Sequence, residues 1–110
     1  MPNFATPMSI DHRADGRRRV VAVSGEVDLA TAPRLRAALD DALDSRPREL
    51  HLDLGGITFM DSSGLHVLFA ADAEAAALDC RLTIFCPPGP VQRLFQVTGY
   101  SERLPLVAAR

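Results

Sequence analysis

Leu50, Leu52 and Leu54 alternate with His51 and Asp53, a period of two that predicts a strand with one buried face over Glu49–Leu54. Leu65 to Ala77 is almost entirely apolar instead, long enough for a mostly buried helix reaching about Asp79. Leu35, Ala38, Leu39, Ala42 and Leu43 recur at i, i+3, i+4, i+7 and i+8, the stripe of a helix with one core-facing side. Arg34, Arg36, Asp40, Asp41 and Asp44 take its wet side, Thr31 is the expected N-cap, and Pro33 sits in the tolerated first turn. Pro47 closes that helix. Val20-Val21-Ala22-Val23 is apolar without alternation, as in a strand covered on both faces.

Turn chemistry connects these segments. Met8–Arg13 and Arg18–Ser24 flank Ala14-Asp15-Gly16-Arg17, where Asp-Gly predicts a two-residue hairpin turn with positive φ at both central positions. Arg81–Cys86 reads as a further strand, and Pro87-Pro88-Gly89-Pro90 forces a turn. Val91, Leu94 and Phe95 then mark a short amphipathic helix ended by Gly99, and Leu104–Val107 supplies an edge strand. Strands starting near residues 20, 50 and 82 are roughly thirty residues apart, the length of a βαβ unit with a right-handed crossover. The expected fold is α/β, a small mixed and mostly parallel sheet with an N-terminal hairpin and helices packed on it. Residues 1–7 are expected to form a flexible arm and residues 8–110 a single domain.

Composition narrows the function. A chain of 110 residues, 47% hydrophobic, suits one domain with its own core. A net charge of −2 argues against nucleic-acid binding, whose footprint is a basic face. All 12 basic side chains are arginine, which excludes a P-loop lysine and Schiff-base chemistry. The run Arg17-Arg18-Arg19 reads as a solvated hairpin end rather than a phosphate clamp. Asp72 and Glu74 interrupt the longest apolar stretch, so no direct membrane insertion and a cytoplasmic location are expected. Cys80 and Cys86 bracket a strand and lie about 20 Å apart at ~3.3 Å per residue, beyond disulfide reach.

The candidate chemistry sits in Asp61-Ser62-Ser63-Gly64-Leu65, which puts a hydroxyl where a helix begins. Ser62 or Ser63 falls near the N-cap, where the orphan N–H groups and partial positive charge also favour a phosphoryl group. There is no G-x-G-x-x-G, Walker A, H-E-x-x-H or G-x-S-x-G motif. Ser62 and His66 lie four residues apart and could form a dyad, but a triad base ordinarily arrives from another element. Asp28, Asp53 and Asp61 fall near strand ends and could hold Mg²⁺; acidic loop residues are ordinarily just solvated. Neither a metal nor a cofactor is expected.

Gly25-Glu26-Val27-Asp28 after a strand, Phe59-Met60-Asp61-Ser62-Ser63-Gly64-Leu65, and Val91-Gln92-Arg93-Leu94-Phe95 with Thr98-Gly99 together resemble the STAS domain, and within it the bacterial anti-sigma factor antagonists. The likeness spans roughly residues 8–107. It implies a non-enzymatic protein–protein switch. An antagonist of this kind binds an anti-sigma factor that is also a serine kinase with a Bergerat-type ATP site, and binding frees a sigma factor. Phosphorylation of the serine after the aspartate, here Ser62, switches binding off, and a PP2C-like phosphatase restores it. By the same resemblance Asp28, Asp61, Ser63, Gly64 and His66 belong to the partner-binding surface, Ser63 as neighbour and not acceptor. Two alternatives remain: a STAS module of a stressosome-like scaffold or of an ABC-transporter complex, and a small hydrolase using Ser62 and His66.

Overall fold

The computed structural model describes residues 7–108; the expected arm thus lies outside the described residues except for Pro7. Strands β1 (Ser9–Asp15) and β2 (Arg18–Val27) pair antiparallel, with Asp15 opposite Arg18. The two central turn residues are therefore Gly16 and Arg17, one position later than Asp-Gly suggests. Gly16 takes φ 62° while Arg17 keeps a negative φ. Positive φ at the first central residue alone is the requirement of a type II′ turn, which explains the shift.

Strands β3 (Glu49–Met60), β4 (Arg81–Phe85) and β5 (Leu106–Val107) add in parallel, giving the sheet order β1-β2-β3-β4-β5. Helices α1 (Ala32–Asp44), α2 (Ser62–Ala77) and α3 (Pro90–Thr98) connect them, so the fold is the expected mixed α/β sheet with an antiparallel opening pair. The core is one cluster. Val21, Val23, Leu50, Leu52, Leu54, Leu82 and Ile84 from the sheet meet Leu35, Leu39, Leu68 and Phe95 from the helices. Each fully buried leucine there contributes about 1.5–3 kcal/mol.

Burial alternates along β2: Val21 and Val23 are buried, Val20 and Ala22 only half-buried. The strand is thus covered on one face, not two as its unbroken apolar run suggests, because the helices share one core beneath the sheet.

β3 also runs further than Leu54. Its pairing with β2 continues through Gly55 and Gly56 to Met60, with register shifts between Ala22 and Ser24 and between Gly25 and Glu26. Glycine makes this possible by close approach: a Cβ on Gly56 would stand 2.7 Å from the Ser24 Cβ. As a result β2 and β3 end together, Val27 opposite Met60. At the far side of the sheet Gly99 caps α3 with φ 77°, and the Tyr100 N–H donates to the Phe95 carbonyl at 2.9 Å. The Tyr100 ring meets Phe69 of α2 edge-on, with centroids 4.9 Å apart.

Candidate functional site

The joint end of β2 and β3 delivers the chain into the start of α2. The Asp61 N–H donates to the Val27 carbonyl at 3.1 Å, fixing Asp61 beside the end of β2. Asp61 is extended, with φ −108° and ψ −170°, and its Oδ1 accepts from the Ser63 N–H at 2.8 Å. Its carbonyl accepts from Gly64 at 3.1 Å and Leu65 at 3.4 Å. Asp61 is therefore the N-cap, and the expectation of a capping serine is corrected. A carboxylate at this position both satisfies an orphan donor and complements the positive end of the helix dipole.

The consequence falls on the serines. Ser62 and Ser63 occupy the first two helical positions, Ser62 exposed and Ser63 half-buried. Among the described residues Ser62 Oγ makes no hydrogen bond, whereas the Ser63 N–H is held by the cap. His66 lies one turn along on an exposed position, and no hydrogen bond among the described residues joins it to Ser62. Gly64 is buried under them: a Cβ there would stand 2.6 Å from Met60 Cγ and 3.0 Å from Val27 Cγ1. Its effect is steric: the missing side chain lets the helix start sit down on the strand ends.

The loop after β2 carries a second cap. Asp28 Oδ1 accepts from the N–H groups of Ala30 and Thr31, both at 3.0 Å, while the Asp28 N–H donates to Thr31 Oγ1 at 2.9 Å. Thr31 Oγ1 also lies 3.0 Å from the Glu26 carbonyl, which its hydroxyl can reach as donor. This is the reciprocal arrangement of a capping box, with Asp28 in the capping role. Thr31, expected to cap α1 with its own side chain, makes no such bond to the helix; it serves the box from the other end.

Between these two residues Leu29 is 79% exposed on a turn locked by hydrogen bonds, and Phe59 near the end of β3 is 47% exposed. Neither stands out in the sequence as a functional residue. The available signal for Leu29 was its place outside the α1 stripe, six residues before Leu35 and off the core-facing side.

The fold thus brings Asp28, Asp61, Ser62, Ser63 and His66 to one end of the domain. Asp53 stays within the sheet opposite Phe85, its Oδ1 accepting from the Gly55 N–H at 2.8 Å. No group of three or more His, Cys, Asp or Glu side chains among the described residues could hold a metal ion. No helix among them is long and apolar enough to cross a membrane. Cys80 and Cys86 are free and buried, flanking β4. Burial pushes both thiol pKa values up, and the Glu49 charge adds to the effect at Cys80.

Residues 10–108 match the family described as Mlab, STAS domain. The chain belongs to the STAS domain family. The anti-sigma-B factor antagonist of Listeria monocytogenes is 33% identical to this STAS domain over 82 residues, 74% of this chain and 72% of the relative. Among solved structures, an anti-sigma factor antagonist from Mycobacterium paratuberculosis has a TM-score of 0.82 at 28% identity, covering 91% of this chain and 85% of that one. The anti-sigma factor antagonist SpoIIAA in its unphosphorylated form has a TM-score of 0.78 at 22% identity, over 93% and 89% of the two chains. At that identity the likeness is one of fold. These STAS relatives are named for regulatory antagonism and not for catalysis.

Proposed function

We propose that this STAS domain is an anti-sigma factor antagonist whose unphosphorylated form binds an anti-sigma factor serine kinase and so releases a sigma factor. Phosphorylation of Ser62 switches that binding off, and a PP2C-like phosphatase resets it. The observation that carries the reading is the exposed, uncommitted Ser62 hydroxyl, one residue after a helix cap already filled by Asp61. A kinase can reach such an oxygen without unfolding the helix.

Electrostatics supports the switch. A phosphoryl group adds about −1.5 to −2 charge. With the Ser63 N–H already occupied by Asp61, the new group sits on the exposed Ser62 beside an existing carboxylate. The partner then meets a dense negative patch in place of a hydroxyl. Asp28, Leu29 and His66 complete the docking face in this reading, Leu29 as a rigidly held apolar contact. Gly64 lies underneath and shapes it.

The experiment is to incubate the chain with its cognate kinase and ATP and to map the phosphate. Label on Ser62 that disappears in Ser62→Ala supports the reading. Equal labelling of Ser62→Ala, or label on Ser63 alone, overturns the assignment.

A further inference from the structure

The arginine run of the hairpin does not stand alone. At the end of the sheet opposite Ser62, Arg17 and Arg18 join Arg48, just before β3, and Arg81, the first residue of β4, around an open cavity of ≈ 840 Å³. Arg17 and Arg48 also line an adjoining hollow of ≈ 340 Å³ with Arg19 and Arg46. The backbone sets their spacing: the Arg48 N–H donates to the Arg17 carbonyl and the Arg81 N–H to the Arg48 carbonyl, each at 2.9 Å. Three arginines from distant parts of the sequence therefore stand in a row, about one strand spacing of ~4.8 Å apart at the backbone.

Structural compensation accounts for only part of this charge. Arg18 is ion-paired with Asp15, and Glu49 and Asp79 share the cavity wall. The C-termini of α1 and α2 end nearby and contribute roughly half a negative charge each. Six guanidiniums against three carboxylates and two helix ends leave about two positive charges, in a chain whose net charge is −2. Among the described residues Arg17, Arg48 and Arg81 make no ion pair.

We propose that this arginine-lined cavity binds a compact oligophosphate. Planar guanidiniums pair with phosphoryl oxygens in a forked geometry, and several converging on one hollow favour a ligand that clusters its charge. Ala76 and Cys80 are the only uncharged residues that line the cavity, so what the wall offers a ligand is chiefly charge. β3 bulges against the ten residues of β2 that it pairs with end to end, so the cavity and Asp61 stand about 30 Å apart. Oligophosphate binding is therefore independent of Ser62.

Titration calorimetry of the full chain with sodium tripolyphosphate, orthophosphate and ATP at one fixed ionic strength tests this. Saturable binding of tripolyphosphate is expected, at least about tenfold tighter than orthophosphate and matched by ATP. It should fall about tenfold in Arg48→Gln/Arg81→Gln and remain unchanged in Ser62→Ala. Arg17→Gln alone, at the exposed turn, gives the same direction of change should the double variant fold poorly. Unaltered binding in the arginine variants overturns the site. Tripolyphosphate no tighter than orthophosphate, or ATP far tighter than both, overturns the ligand class.

Discussion

The Ser63 N–H donates to Asp61 Oδ1 at 2.8 Å, spanning Ser62 and leaving its hydroxyl out of the helix cap. Asp61→Ala removes this bond and is expected to cost about 1 kcal/mol of stability, read as a lower urea midpoint at unchanged slope. Asp61→Asn keeps a capping oxygen and should stay within a few tenths of a kcal/mol of the parent. If both variants lose the same stability, the negative charge and not the cap is what holds the helix start.

Gly64 reverses a familiar expectation. Within a helix, glycine to alanine normally stabilises by roughly 0.5–1 kcal/mol. Here the added methyl would press on Met60 and Val27, both buried at the strand ends. Gly64→Ala should therefore destabilise by about 1–3 kcal/mol, seen as a drop of several degrees in thermal midpoint.

Asp28 and Thr31 support each other, and their substitutions should not add. Asp28→Ala and Thr31→Val are each expected to cost about 1 kcal/mol, and the double variant measurably less than the sum, since either change opens the box. Leu29→Asp, on the same turn but 79% exposed, should leave the denaturation midpoint unchanged while weakening kinase binding. A midpoint shift for Leu29→Asp would mean that the leucine supports the fold.

Where the period was clear, sequence and structure agree. The alternating leucines became β3, the i, i+3, i+4 stripe became α1, and the thirty-residue strand spacing became the parallel order of the sheet. The helix cap was less legible because Asp61, Ser62 and Ser63 are three consecutive residues able to cap. The choice among them depends on where β3 stops, and that in turn depends on pairing that continues through Gly55-Gly56. Val20-Val21-Ala22-Val23 misled because a short apolar run does not say how many faces are covered. The arginine cavity was not legible at all beyond the hairpin run: Arg48 and Arg81 come beside Arg17 through backbone bonds at the start of the paired strands, and Arg46 through the turn that ends α1.

The buried thiols give a pH dependence with a defined sign. Both cysteines have folded-state pKa values raised above the ordinary 9.0. The native state holds these protons more tightly than the unfolded chain, so their stabilising contribution is intact below pH 9.0 and is lost as pH climbs beyond it. Two observations check this. Alkylation by iodoacetamide at pH 8 should be slow in the folded protein and fast in denaturant. In addition, replacing both cysteines with alanine should flatten the alkaline fall in stability.

In the proposed switch a single hydroxyl, on Ser62, carries the change of charge at the docking face. The most direct measurement is calorimetric: the affinity of the cognate anti-sigma factor kinase for the unmodified chain and for the chain phosphorylated at Ser62. Phosphorylation should weaken binding by about 5–150-fold, a coupling of ~1–3 kcal/mol, with the domain still folded by circular dichroism. Equal affinities for the two forms would contradict the account.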